Sequence, residues 1–155
     1  MNLAVLKKTR RVPEPGDIFV MQPPDGQYLF GRVIDTNAEI GPIKGCVLVY
    51  VYRARSRQKT PVPELLCEKL LVRPIMTNKQ PWIKGYFEHI ENRPLRPMDR
   101  LPQHCFKDTR GWYFDERSAR LPGPIEPVGV WGLDSCRTID DDVSKALNIP
   151  LSPDE

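Results

Sequence analysis

The chain has 155 residues, 40% of them hydrophobic and 28% charged, and a formal net charge of +3. This length favours one domain, with a core large enough to fold without a metal or a disulfide. The small net charge gives no indication of nucleic acid as a partner, and no run approaches the roughly 20 apolar residues of a membrane span. The basic run at 7–11 follows a short apolar stretch instead of preceding it, so we expect no secretory signal and a cytoplasmic protein.

A β-hairpin is the first predicted element, with strands at Asp17–Met21 and Tyr28–Ile34. The intervening Pro23–Gly26 has turn chemistry, because proline presets φ and a final glycine permits positive φ. We therefore expect Gly26 at positive φ. Gly31, inside the second strand, indicates either a bulge or a close approach of another backbone segment.

A third strand is predicted at Cys46–Tyr52, after a loop at Asn37–Gly45. Valines alternate with larger side chains along it, so both faces of this strand are expected to be covered. Basic residues then recur at every second position, which places them on one side of an extended chain. We interpret this run as a solvated connection leaving the sheet rather than as a row of side chains that binds phosphates or an acidic partner. Its members are Arg53, Arg55, Arg57 and Lys59.

The second half of the chain predicts shorter elements, since the seventeen prolines favour many short connections. These elements are a helical turn at Pro63–Cys67, strands at Leu70–Ile75 and Trp82–Ile90, a hairpin of Cys105–Asp108 with Trp112–Asp115, and a strand at Val128–Leu133. A helix capped at Thr138 follows, with Ile139, Val143, Ala146 and Leu147 on one face and Asn148 at its end. The predicted fold class is mainly β (α+β), an antiparallel sheet or half-open barrel with one C-terminal helix.

The organisation that we expect is an N-terminal arm at 1–14, a single domain at 15–150 and an acidic tail at 151–155. The last eighteen residues carry five acidic residues and one lysine, so the end of the chain is more acidic than the rest.

Groups that would bind a metal or perform catalysis are sparse. The four cysteines are far apart and form no CxxC pair, and Cys46, Cys67 and Cys105 lie in apolar runs typical of a core. His89 and His104 are the only histidines, and neither has a second ligand at metal-binding spacing. We therefore predict no metal and no cofactor.

Several motifs resemble the immunity protein 26 family of bacterial polymorphic-toxin systems. The first half contributes Gly-Asp-Ile-Phe at 16–19, an Asp-Gly turn and Tyr-x-Phe-Gly-Arg-Val at 28–33. The second half contributes Trp-x-x-Gly-Tyr-Phe at 82–87, Pro-x-His-Cys-Phe at 102–106 and Val-Trp-Gly-Leu at 130–133. The resemblance covers about Pro15 to Ile139, and it rests on the order and spacing of these motifs together.

The resemblance implies a non-catalytic protein that binds and neutralises a cognate toxin made by the same cell. Some relatives in the family are labelled as phosphotriesterase-like, so an organophosphate hydrolase is the alternative. Two separated histidines do not reproduce the ligand set of metal-dependent phosphotriesterases. A second alternative is a nucleic-acid-binding β barrel, which would use the Arg53–Lys59 run together with Tyr50 and Tyr52.

The candidate partner-binding residues are aromatic and charged side chains at turns. Trp112 follows a hairpin turn, where side chains tend to reach solvent, and an exposed tryptophan beside arginine has the composition of a binding hot spot. Core packing is the alternative role for Trp112, and for Trp131 it is the preferred one. Asp115 and Asp134 are interpreted as turn residues in preference to a catalytic acid and base. The full set is Trp112, Arg110, Asp115, Arg117, Asp134, Arg53, Arg55 and Arg57.

Overall fold

The computed structural model describes residues 1–153, and two β-sheets dominate it. The first sheet contains β1 (Asp17–Met21), β2 (Tyr28–Ile40), β3 (Ile43–Ser56), β4 (Ile75–Thr77) and β5 (Glu88–Asn92), in the order β4-β3-β2-β1-β5. The second sheet contains β6 (Cys105–Lys107), β7 (Tyr113–Phe114), β8 (Arg120–Leu121) and β9 (Val128–Val130), in the order β8-β7-β6-β9. The helices are α1 (Gln80–Ile83), a 3-10 turn at Pro97–Asp99 and α2 (Cys136–Ala146). The predicted mainly β fold with one C-terminal helix is confirmed, and neither sheet closes into a barrel.

The first hairpin is confirmed in both strands and in its turn. β1 pairs antiparallel with β2, and Gly26 has φ 81° in the connection. Gly31 lies directly opposite Phe19, and a Cβ at this position would overlap the Phe19 ring. Glycine is therefore required by the close approach of an aromatic side chain.

The loop predicted at Asn37–Gly45 is wrong, because β2 and β3 form one long hairpin through this region. β2 continues to Ile40, and β3 begins at Ile43 after a turn in which Gly41 has φ 56°. Ala38 and Ile40 are buried, while Glu39 between them is half-buried. The two buried side chains pack on the core, and this packing outweighs the polar composition of the segment.

The first sheet is buried on both faces, as the alternation in β3 predicts. Val47, Val49 and Val51 pack into one apolar cluster with Phe19 and with Trp82 from α1. The opposite face joins a second cluster, to which Phe106 of the second sheet contributes. Its β3 members are Leu48, Tyr50 and Tyr52. The first sheet is thus the central layer, with α1 and α2 on one side and the second sheet on the other.

Three predictions in the middle of the chain are wrong. No helical turn forms at Pro63–Cys67, and of Leu70–Ile75 only Ile75 belongs to a strand, β4. The strand predicted over Trp82–Ile90 begins as helix α1 and becomes strand only at Glu88. The reason is packing, since the turn at Gly85 (φ 86°) brings both Trp82 and Phe87 into the same cluster. Strict alternation would have placed them on opposite faces.

The second hairpin is confirmed, while the last strand differs from its prediction. β6 pairs antiparallel with β7 around Gly111, which has φ 89°. The strand predicted at Val128–Leu133 ends at Val130 and runs parallel to β6. Cys46, Cys67 and Cys105 are confirmed as buried core residues.

Helix α2 begins two residues before the predicted cap. Ser135 is the N-cap, and its hydroxyl accepts a hydrogen bond from the Thr138 backbone N–H at 3.2 Å. Ile139 and Val143 are buried as predicted, whereas Ala146 is exposed. Asn148 has φ 58° and ends the helix, as predicted.

The N-terminal residues pack against α2. Leu3 is buried, and Asp140 accepts hydrogen bonds from the backbone N–H groups of Asn2 at 3.1 Å and of Leu3 at 2.7 Å. Residues 154 and 155 of the predicted acidic tail lie outside the described residues. Within residues 1–153, no helix has the length and apolar character needed to cross a membrane.

Candidate functional site

The turn between β6 and β7 is organised by one buried carboxylate, Asp108. Its Oδ1 accepts hydrogen bonds from the backbone N–H groups of Arg110 at 3.0 Å and of Trp112 at 2.8 Å. Its Oδ2 accepts from Nε and Nη2 of Arg110, at 2.9 and 2.8 Å. Burial opposes the charged form, yet the hydrogen bonds from Trp112 and Arg110 hold the pKa of Asp108 below its usual value. The turn is therefore a fixed platform for the side chains that it carries.

Trp112 projects from this platform between two arginines. Its residue surface is 40% exposed, and the guanidinium carbons of Arg110 and Arg120 lie 4.0 and 3.7 Å from its ring centroid. Two planar guanidinium groups this close to one centroid would overlap if they lay on the same side. They therefore cover opposite faces of the indole, each contributing about 0.5–1 kcal/mol of cation–π attraction. Arg110, Trp112 and Arg120 are called the Trp112 cluster below.

A separate exposed patch lies on the outer face of the second sheet, opposite to the face that Arg120 shares with Phe114. Lys107 of β6 is opposite Tyr113 of β7 and opposite Val130 of β9, so the three side chains share a face of the sheet. The Lys107 ammonium lies 6.0 Å from the Tyr113 ring centroid, and Val130 is 41% exposed. Aromatic residues such as Tyr113 are enriched at protein–protein interfaces, whereas lysine is depleted there.

Two other candidate residues have contacts within the protein. Asp115 Oδ1 accepts hydrogen bonds from the backbone N–H groups of Arg117 and Ala119, both at 2.9 Å, which makes it the turn residue that was expected. The Arg117 guanidinium lies 2.9 Å from an Asp35 carboxylate oxygen and donates to the Asn37 carbonyl. Arg117 therefore links the second sheet to β2.

Asp134 lies just before α2 and is anchored to β4 through its backbone. Its N–H donates to the Met76 carbonyl at 2.8 Å, and its carbonyl accepts from the Thr77 hydroxyl at 2.7 Å. Burial and, secondarily, the nearby Asp142 carboxylate raise the pKa of Asp134 to about 6. Asp134 therefore anchors the segment before α2 to the first sheet and is not part of the Trp112 cluster.

The four basic residues at the end of β3 differ in whether they form ion pairs. Arg55 lies 3.7 Å from Asp25 and Lys59 lies 3.1 Å from Glu88, so these two are ion-paired. Within residues 1–153, Arg53 and Arg57 have no acidic partner within 4.0 Å. Arg53 also lines an open cleft of about 490 Å³, which reaches Val128 of β9.

A buried polar triplet was missed by sequence reasoning. The Tyr50 hydroxyl lies 2.5 Å from Nε2 of His104 and accepts a hydrogen bond from the Leu101 backbone N–H at 3.0 Å. Nδ1 of His104 lies 3.3 Å from a Glu116 carboxylate oxygen. This order of carboxylate, imidazole and hydroxyl is that of a proton relay, but Tyr50 is 0% and His104 is 5% exposed. No substrate reaches the hydroxyl, so the triplet serves to join β3 to the second sheet.

The burial of two tyrosines corrects one alternative. The nucleic-acid hypothesis needs Tyr50 and Tyr52 on the surface, and they are 0% and 1% exposed. Burial raises the pKa of Tyr50 to about 12, as expected of a phenol in a core. Among residues 1–153, no group of three or more His, Cys, Asp or Glu side chains is arranged to hold a metal ion.

A family model described as immunity protein 26 matches residues 14–111. The chain belongs to the immunity protein 26 family. The match spans the first sheet, β6 and the Asp108 turn as far as Gly111, so Arg110 lies inside it and Trp112 and Arg120 follow it. No curated protein and no solved structure matches the chain. Immunity proteins are generally not catalysts, so the family assignment agrees with the expectation that this chain is not an enzyme.

Proposed function

We propose that this immunity protein binds a cognate bacterial toxin in the cytoplasm and neutralises it by covering its active site or a nearby surface. Family membership supports the immunity role. The proposal places the toxin-binding surface at the Trp112 cluster. The toxin would be one of a polymorphic-toxin system, made by the same cell.

The observation that carries this proposal is an exposed tryptophan whose orientation is already fixed in the free protein. A tryptophan at the centre of an interface buries a large area, and tryptophan and arginine are enriched among residues that dominate binding energy. Arg110 and Arg120 hold the Trp112 ring, so little side-chain freedom is lost when a partner docks.

The other candidate residues have graded roles under this proposal. Asp115 and Arg117 shape and brace the β7–β8 turn, so we propose that they support the surface rather than contact the toxin. Arg53 and Arg57 form a second surface for testing, because both are exposed and lack an ion-pair partner among residues 1–153.

The first test is genomic, since a toxin-domain gene immediately upstream would support the proposal and an isolated gene would weaken it. The toxin domain of such a neighbouring gene is then the partner used in binding experiments. We expect co-expression to restore growth of cells that make the toxin, and the purified proteins to form a complex in isothermal titration calorimetry. Trp112→Ala should weaken the complex by about 2 kcal/mol, which is roughly 30-fold in Kd. Because Trp112 is 40% exposed and loses mainly its two cation–π contacts, the same change should lower the free energy of unfolding by about 1–2 kcal/mol. A tryptophan in the core would instead lose about 3–5 kcal/mol.

Met98→Ala is the matched control, since Met98 is 63% exposed and lies in the 3-10 turn. It should bind the toxin like the wild type. Wild-type protein that neither binds nor rescues would contradict the proposed function. A large loss of stability in Trp112→Ala with unchanged affinity would remove Trp112 from the surface and leave Arg53 and Arg57 as the next residues to test.

A further inference from the structure

The indole of Trp112 offers a partner its edge and not its faces. Guanidinium groups cover both faces, at 4.0 and 3.7 Å from the ring centroid, although 40% of the residue surface is exposed. A nucleobase or an aromatic side chain therefore cannot stack on this ring. The groups left for a partner are the indole edge and the outer edges of the two guanidinium planes.

Arg120 is the member of the cluster with unused hydrogen-bond donors. Arg110 directs Nε and one Nη to Asp108, at 2.9 and 2.8 Å. Arg120 has its stacking contact with Trp112, and within residues 1–153 its guanidinium has no carboxylate or carbonyl acceptor. An arginine presents five donors in a rigid planar fork that matches a carboxylate. The stacking fixes this fork before any partner arrives.

The charge around Arg120 is not balanced locally. Asp108 compensates the charge of Arg110, and Arg120 has no acidic partner within 4.0 Å among the described residues. The unbalanced positive charge favours an acidic partner and discourages a basic one. Proteins that bind nucleic acid without sequence preference combine positive charge with aromatic rings on which the bases stack. Both faces of the Trp112 ring are covered, so no base can stack on it.

We infer that the Trp112 cluster is a carboxylate-binding site, in which Arg120 holds an Asp or Glu side chain of the toxin against the edge of Trp112. This inference rests on the proposed function and adds to it the chemistry of the toxin surface and the residue that selects it. Trp112 then acts largely by orienting Arg120, and the energy of the contact is a charge-assisted, bidentate hydrogen bond.

The test compares substitutions at Arg120 in the full chain against the neighbouring toxin domain. Arg120→Gln should weaken binding by at least about 10-fold at 50 mM salt, and the difference should shrink at 500 mM salt because the interaction is ionic. Arg120→Lys keeps the charge but loses the fork, so it should fall between the wild type and Arg120→Gln. Arg10→Gln is the control, since Arg10 is an exposed arginine in the N-terminal segment.

Charge reversal identifies the toxin residue. Arg120→Glu should abolish measurable binding, and an Asp→Lys or Glu→Lys substitution in the toxin should restore it at one position only. Unchanged affinity in Arg120→Gln, beside a loss in Trp112→Ala, would overturn this inference and leave the proposed function standing. Binding of a fluorescent single-stranded DNA 12-mer that depends on Arg120 would overturn it in favour of a phosphate site. A toxin that does not bind the wild-type chain would overturn both proposals.

Discussion

Replacing Tyr50 with phenylalanine tests whether the buried triplet joins the two sheets. The change removes one hydroxyl from a fully buried ring and keeps the ring itself. The lost group accepts a hydrogen bond from the Leu101 N–H at 3.0 Å and lies 2.5 Å from Nε2 of His104. The Leu101 N–H and His104 Nε2 would then lose the hydroxyl with which they interact.

The expected loss of stability follows from these two orphaned groups. Leaving a buried polar group unsatisfied costs about 1–3 kcal/mol, and the hydroxyl that is removed no longer has to be desolvated, which offsets part of the cost. We expect Tyr50→Phe to lower the free energy of unfolding by about 2–3 kcal/mol. For a chain of this length, that corresponds to a melting temperature lower by about 4–12 °C.

Tyr52→Phe is a matched control two residues along the same strand. Tyr52 is 1% exposed and packs in the same cluster, but its hydroxyl has no hydrogen-bond partner among residues 1–153. Its free energy of unfolding should stay within about 0.5 kcal/mol of the wild type. Urea unfolding followed by tryptophan fluorescence gives both values, provided that the m-values agree.

The outcome that would refute the reasoning is equality of the two variants. If Tyr50→Phe and Tyr52→Phe unfold at the same urea midpoint, the hydroxyl of Tyr50 contributes nothing to holding the second sheet on the first. A loss in Tyr50→Phe that is shared by His104→Gln, with no further loss in the double variant, would support one coupled unit.

Two further predictions concern stability. Burial and the Asp142 carboxylate raise the pKa of Asp134 to about 6, so the folded state binds this proton more tightly than the unfolded chain does. Ionisation of Asp134 therefore lowers the free energy of unfolding. This loss is absent below about pH 4 and grows as the pH rises through 6. Asp134→Asn should therefore raise the urea midpoint at pH 7.5 relative to the wild type and have less effect at pH 4, and an equal effect at both would contradict this. Gly31→Ala should destabilise the protein by about 1–3 kcal/mol in thermal or urea unfolding, because its Cβ would overlap the Phe19 ring. Gly123→Ala, with no atom within 4 Å of the new Cβ, should be close to neutral, and similar losses in both variants would argue against the overlap.

Much of the fold was predictable because the relevant signals are local. The period-2 alternation along Cys46–Tyr52 predicts a strand buried on both faces, and both clusters of the core contain its side chains. The turn at Gly26 and the hairpin around Gly111 followed from turn chemistry between apolar runs. Sequence motifs also indicated the family, which the match at 14–111 shows.

Errors arose where distant packing competes with local pattern. Trp82–Ile90 alternates like a strand, but Trp82 and Phe87 both pack on Phe19, with ring centroids 5.3 and 4.2 Å from it, and the chain turns at Gly85 to allow this. The loop predicted at Asn37–Gly45 likewise became strand because β3 lies beside β2 and pairs with it. Neighbours along the chain carry no information about such partners.

By itself, the sequence determined the strand periodicity, the tight turns, the C-terminal helix and the family, since each depends on residues a few positions apart. It also singled out Trp112 with Arg110, which are two residues apart. Only the tertiary structure decided that β8 brings Arg120 onto the second face of that indole, and that the buried Tyr50 and His104 meet with Glu116 at the edge of the core. The physical reason is that the energies of these contacts depend on how the sheets pack, and no local pattern of residues records that packing.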